Sequence, residues 1–318
     1  MLHPRAYKVT VAWTLVLLLL GSVVHATESS LACPDWPTCF GTMVPEMTGG
    51  VFWEHLHRLV AGGLVLMFAL GTWLARREVT GRPWIMRMSI AGLALLVVQS
   101  VFGGLTVLYQ LPDLVSTTHL ALAFSFLALA TVLATGTMHG LPAPMDPGSR
   151  LRLRRLAGVG AALVFAQSVL GALVRHTDAG MACPDVPLCL GRVVPPLVNV
   201  QITAHFFHRV LAVIVALAIV GLAGWARGVD LPRSARRALD AAAALVLLQV
   251  ALGVASVLTI LDVAPVSLHT LVAAGLLAVL VYVASLAHFA PVSGSGTVPG
   301  TRDADASAVD PDRNPSIA

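Results

Sequence analysis

Apolar residues along this chain follow neither a strand period nor a single helical stripe. They fill unbroken windows of about 20 residues, the length a helix needs to cross hydrocarbon, with short polar stretches between them. Eight such windows occur, at roughly 8–27, 52–75, 87–109, 115–138, 153–175, 201–225, 237–259 and 264–288. A helix that is apolar all round belongs in a protein core or in lipid. The predicted fold is therefore all-α integral membrane, with eight transmembrane helices crossing the lipid bilayer. The first window follows Arg5 and Lys8 and ends in Val24-His25-Ala26, as a cleavable signal peptide would. Its end nevertheless has a counterpart deep in the chain, at Gly171 and after, so the segment is expected to be retained as a helix.

Composition agrees: 57% of the 318 residues are hydrophobic and 11% charged, which excludes a pair of soluble domains. The net charge of +4 comes almost wholly from arginines, which cluster in short loops. They form no face for nucleic acid. Arg76, Arg77, Arg82 and Arg87 follow the second window; Arg150, Arg152, Arg154 and Arg155 the fourth; Arg227, Arg233, Arg236 and Arg237 the sixth. The intervening loops carry Glu28, Asp35, Glu46, Asp113 and Asp262, with Arg175 and Arg192 as exceptions. By the positive-inside rule the chain is a multi-pass protein of the cell membrane with both termini cytoplasmic. The loops holding Cys33, Cys39, Cys183 and Cys189 then lie on the oxidising outer face, where each pair is expected to close a small disulfide ring. Such a ring has two readings, a staple over the outer mouth or a redox-active thiol pair, and both stay open for the first loop.

The chain also repeats itself. Shifted by 150 positions, Ala32-Cys33-Pro34-Asp35 falls on Ala182-Cys183-Pro184-Asp185, Cys39-x-Gly41 on Cys189-x-Gly191, Gln99 on Gln249, Gly103 on Gly253 and His119 on His269; a one-residue slip brings His57-Arg58 onto His208-Arg209. Two tandem four-helix-bundle halves are expected, 1–140 and 150–290, sharing one orientation. The stretch 291–318, rich in Ser, Gly, Asp and Pro, is expected to be a disordered cytoplasmic tail. Gln-x-x-x-Gly recurs at Gln99/Gly103, Gln167/Gly171 and Gln249/Gly253, which points to close helix packing through the glycine.

His57, His119, His208 and His269 lie in windows two, four, six and eight, near one end of each. Two histidines at one depth on neighbouring helices can face each other across a bundle core, and imidazole is a common axial ligand of haem iron. The simplest reading is one bis-histidine haem in each half. Zinc is disfavoured, since two histidines and at most one carboxylate per half make a poor tetrahedral set. Arg58 and Arg209 are candidates for haem propionates or for snorkelling to the surface. His3, His139 and His288 lie near window ends and are expected to be solvated; His55 points away from the face of Glu54 and His57; His25 and His176 border the cysteine loops.

The halves differ at one polar position. Glu54, three residues before His57, is answered by His205. Ionisable groups inside apolar spans mark function, and a carboxylate beside one site can move a proton or stabilise a cation where a second histidine cannot. Chemistry is therefore assigned to the first half, with Glu54 catalytic, and electron carriage or structural support to the second.

Taken together, Glu54-x-x-His57-Arg58, His119 in Ser116-Thr117-Thr118-His119, His208-Arg209, His269 in Ser267-Leu268-His269 and a cysteine pair in each half resemble the haem A synthase family over roughly residues 8 to 290. That resemblance implies an enzyme oxidising the C8 methyl of haem O to the formyl of haem A, through hydroxylated intermediates with water as oxygen source. It implies haem O as substrate at His57 and His119 with Glu54 essential nearby, and a haem b at His208 and His269. It also implies a haem O synthase upstream and terminal-oxidase assembly downstream. A non-catalytic di-haem b membrane electron carrier is the alternative; histidines gathered at one depth count against it.

Overall fold

A computed structural model describes residues 1–138 and 143–293. Within them the chain forms eight long helices: α1 (His3–Ala26), α2 (Gly49–Glu78), α3 (Pro83–Leu108), α4 (Asp113–Gly136), α5 (Pro147–His176), α6 (Val200–Arg227), α7 (Arg233–Leu258) and α8 (Val263–Phe289). All eight are long and apolar enough to cross a membrane. The helices start and stop where local chemistry dictates. Proline opens α3 and α5, its fixed φ and missing N–H costing nothing in a first turn. Asp146 and Asn199 accept from the free amides of Ser149 and Ile202 at the heads of α5 and α6. The tight links after α3 and α7 each use two consecutive left-handed residues, Gln110-Leu111 and Ile260-Leu261.

Helix neighbours follow the same scheme in the first four helices and the last four. Around one ring α1 meets α2, α2 meets α3, α3 meets α4 and α4 returns to α1; α5 to α8 close likewise. The two rings join through α1, α4, α5 and α8, with α1 and α4 both against α8 and α4 against α5. Burial reflects this. Protein encloses 44% of the apolar window of α4 and 50% of that of α8, against 22% for α1, α3, α6 and α7, whose remaining apolar surface faces outward. In lipid such a surface is at rest, because hydrocarbon replaces the burial that water would demand. Close packing along the second ring rests on alanine: Ala157, Ala161, Ala223, Ala226, Ala235, Ala242, Ala274 and Ala287 sit in one continuous core with Leu153, Ile219 and Leu280.

Two expectations about chain ends need revision. His3 is not solvated: it is 3% exposed, its Nδ1 lies 2.7 Å from Glu78 Oε2, and the same carboxylate accepts from the amides of Leu2 and His3. A free helix head needs acceptors for its first N–H groups, and Glu78 at the end of α2 supplies them across the bundle. His288 is exposed as expected; His139 lies outside the described residues. Of the expected disordered tail, Pro291 and Ser293 hydrogen-bond with the backbone of Met145, and residues 294–318 lie outside the described residues.

Candidate functional site

The four singled-out histidines are built in one way. Each rests the Cε1 edge of its ring on a glycine of the preceding helix: His57 on Gly21, His119 on Gly103, His208 on Gly171 and His269 on Gly253. A methyl group at those glycines would stand between 2.8 and 3.1 Å from Cε1, so only glycine lets the ring lie against the neighbouring backbone. The glycine thus sets how deep each imidazole reaches into its bundle. Sequence spacing marked three of these glycines as packing residues, and packing is what they do, but the partner is a histidine.

Because α2 and α4 are not neighbours in the first ring, nor α6 and α8 in the second, each histidine pair looks across a diagonal. His208 and His269 have ring centres 6.5 Å apart. Two metal–nitrogen bonds of about 2 Å, plus about 1 Å from each nitrogen to its ring centre, span about 6 Å. The gap therefore has the length for one metal atom held from both sides. His57 and His119 occupy the corresponding places on α2 and α4 of the first ring, each on its own glycine. A haem iron fits this donor set better than zinc, since among the described residues neither pair belongs to a cluster of three His, Cys, Asp or Glu ligands. Buried polar atoms without a partner gather around the same rings: Oε1 of Gln99, Gln167 and Gln249, Oγ of Ser116 and Ser267, and Nδ1 of His57. Such atoms are uncommon in a finished interior, and a polar prosthetic group entering the bundle would meet them.

Over each pair sits a disulfide ring, Cys33–Cys39 above the first and Cys183–Cys189 above the second. Asp35 folds its ring by accepting from the amides of Phe40 at 2.6 Å and Gly41 at 2.9 Å and from the Thr38 hydroxyl; Asp185 accepts from Leu190 at 2.8 Å and Gly191 at 2.6 Å. The Thr38 hydroxyl, then the Gly41 amide, hold the Asp35 carboxyl below its ordinary range, and the Gly191 amide does so for Asp185.

The arginines reach up to these rings. Arg58 Nη1 donates to the carbonyls of Asp35 at 2.8 Å and Thr38 at 2.5 Å. Arg209 donates to those of Asp185 and Leu188 at 2.7 Å and Cys183 at 2.5 Å. Both guanidiniums, candidates for propionates or for the surface, thus bind loop backbone. Here the asymmetry between halves becomes concrete. Glu54, 4% exposed, takes Arg58 Nη2 on Oε1 at 2.5 Å and the Cys33 amide on Oε2 at 2.8 Å. It links helix, arginine and disulfide ring. His205 makes neither contact and turns its Nδ1 to the carbonyl of Ala179 at 2.8 Å.

Sequence reading missed the partners of the remaining histidines. His55 is buried, its Nε2 is 3.1 Å from the Met43 carbonyl, and its ring lies beside the Cys33–Cys39 sulfurs. His25 and His176 lie against each other with ring centres 5.2 Å apart and planes tilted by 53° where the two rings of helices meet, and His176 Nδ1 is 3.1 Å from the Thr117 hydroxyl. Only the placement of His25 and His176 next to the cysteine loops hinted at this.

Comparison with known proteins gives this arrangement a lineage. The family model described as COX15-CtaA, cytochrome oxidase assembly protein, matches residues 5–49 and 46–281. The heme A synthase of Symbiobacterium thermophilum is 33% identical over 294 residues, 87% of this chain and 94% of that one. The heme A synthase of Halalkalibacterium halodurans is 28% identical over 277 residues, 84% of this chain and 91% of that one, and that of Shewanella oneidensis 27% over 256 residues, 68% and 76%. The chain belongs to the COX15-CtaA family of cytochrome oxidase assembly proteins, among the heme A synthases.

Proposed function

We propose that this chain is a haem A synthase that oxidises the C8 methyl of haem O to a formyl group through hydroxylated intermediates, with water as the oxygen source. In sum a methyl group and a water become a formyl group and four protons, and four electrons pass to an electron acceptor outside the chain. The observation that carries the reading is the unequal pair of like sites: both halves set two histidines across a bundle diagonal on glycine cradles, and among the described residues only the first adds a buried carboxylate. His57 and His119 hold the substrate, haem O, by its iron. Glu54 lies one helical turn from His57, and its two donors, Arg58 and the Cys33 amide, fix it in one orientation. Held so, it serves as the base that takes protons from water and substrate in a site sheltered from solvent. His208 and His269 hold a haem b, which supplies a one-electron redox centre when bound.

The two helix rings act as tandem halves, 1–140 catalytic and 150–290 binding haem b. The basic loops lie on the cytoplasmic side of the cell membrane and the disulfide rings outside. In this reading a haem O synthase supplies the substrate, and the family's description as cytochrome oxidase assembly protein supports assembly of a terminal oxidase as the use of the product.

Purification from cells that make haem O, followed by chromatographic separation of the bound haems, tests the reading. The native chain is expected to carry haem b together with haem A or its hydroxylated precursor. Glu54→Gln is expected to keep haem b and haem O and to lose both oxidised forms. Haem b alone in both proteins would make the chain an electron carrier instead.

A further inference from the structure

His55 belongs to neither of the facing histidine pairs. It is 2% exposed, and one of its ring nitrogens and the sulfurs of Cys33 and Cys39, both 0% exposed, all lie within 4.8 Å of one another. Its Nε2 is 3.1 Å from the Met43 carbonyl. A carbonyl can only accept, so Nε2 carries a proton. Nδ1 is buried with no partner; a proton there would be stranded, so this nitrogen keeps its lone pair. A metal-binding histidine is prepared in the same way: one nitrogen gives its N–H to a backbone acceptor, which fixes ring and tautomer, and the other is left to ligate. The second half is built differently. By the one-residue slip that sets His57 on His208, His55 falls on Phe206, and among the described residues Cys183 and Cys189 belong to no cluster of three ligands.

In the disulfide the two sulfurs are bonded to each other and hold no cation. Reduction by a dithiol protein changes this: two electrons and two protons pass to Cys33 and Cys39 while the donor becomes a disulfide. We propose that the reduced Cys33–Cys39 ring and His55 form a site for one copper(I) ion, which displaces the two thiol protons and is held by two thiolates and the imidazole. Thiolates select copper(I) or zinc. Zinc asks for four ligands; the described residues gather three here, all buried, and three satisfy copper(I). Bonds of about 2.3 Å to sulfur and about 2.0 Å to nitrogen set three ligand atoms about 4 Å apart around one ion. Two thiolates and copper(I) leave one negative charge, and the Arg58 guanidinium, bound to the Asp35 and Thr38 carbonyls of the same ring, stands close to offset it. Reoxidation of the ring by a protein disulfide removes both thiolates and releases the ion, so thiol redox state gates the site.

The test uses the purified full chain with its haems in two backgrounds. Cys183→Ser with Cys189→Ser leaves the first ring, and Cys33→Ser with Cys39→Ser leaves the second. Each protein is reduced with a phosphine, desalted without oxygen and equilibrated with copper(I) against bathocuproine disulfonate. Copper on the protein is then counted, and copper X-ray absorption reads its ligands. The first ring should take one copper(I) per chain, with two sulfurs and one nitrogen around it, and none before reduction. The second should bind at least about 10–100-fold more weakly, since losing a ligand costs no less than losing the partner that orients one. His55→Phe should bring the first ring down to the level of the second, with unchanged haem content as the sign of an intact fold. Should that variant lose its haems, the ligand set around copper in the chain with His55 decides the matter alone. Equal affinity in the two rings, sulfur ligands only in the first, or zinc held in preference with four ligands would overturn the proposal.

Discussion

Glycine at positions 21, 103, 171 and 253 is the smallest unit on which the account depends, and it pits two effects against each other. Alanine is the better helix former by about 0.8–1.0 kcal/mol, so Gly171→Ala would stabilise α5 if nothing stood in the way. Its methyl would meet His208 Cε1 at 2.8 Å, the closest of the four approaches, and the ring has to move off the diagonal. Ligation depends on the ring's position to within a few tenths of an ångström, so geometry decides. Gly171→Ala is expected to give a folded protein that loses haem from the second site and keeps it at the first, measured as haem per protein by pyridine haemochrome. Unchanged stoichiometry with an unchanged spectrum would mean that the cradle does not set the ligand. At this scale the sequence singled out four histidines, because ionisable groups are rare in apolar windows, and the structure sets each of them on a glycine of the preceding helix. It did not disclose what each one touches. His3 looked like a solvated end residue until Glu78, the last residue of α2, proved to cap α1, a contact made by packing across helices with no local signal.

At the scale of elements, the disulfide rings and the helices beneath them are tied by arginine, and the two ties differ in kind. Arg209 binds three carbonyls; Arg58 also binds three, that of Pro37 only at 3.5 Å, and in addition the carboxylate of Glu54, with both side chains largely buried. Removing one partner of a buried ion pair costs about 3–5 kcal/mol, because a charge is left stranded, whereas leaving a buried carbonyl unsatisfied costs about 1–3 kcal/mol. Arg58→Ala is therefore expected to lower the unfolding midpoint more than Arg209→Ala, and Glu54→Gln in the Arg58→Ala background should recover part of the loss. Equal losses without recovery would show that Glu54 carries no charge there. The i, i+3 spacing of Glu54 and His57 was legible and drew attention to that face of α2. The i, i+4 partner Arg58 and the Cys33 amide were not, because both contacts depend on how a prolyl-rich loop folds back over the helix, and hydrophobic periodicity says nothing of loops.

At the scale of the molecule, eight apolar windows became eight helices, with ends a few residues beyond the windows where arginine-bearing turns continue as helix. That much follows from hydropathy alone. The order of helices around each ring does not: apolar residues on every face leave the neighbours unspecified, and small residues such as the alanines of the second core choose them. The consequence is that α4 and α8 are central and carry His119 and His269, while α2 and α6 are peripheral and carry His57 and His208. In the proposed enzyme each ring of helices holds one haem between a peripheral and a central histidine. That placement is tested most directly by counting and identifying the haems bound to the purified native chain, His119→Ala and His269→Ala. Two haems per native chain are expected, with His119→Ala losing the haem O-derived species and keeping haem b, and His269→Ala losing haem b. A native chain with one haem, or two variants that lose the same one, would contradict it.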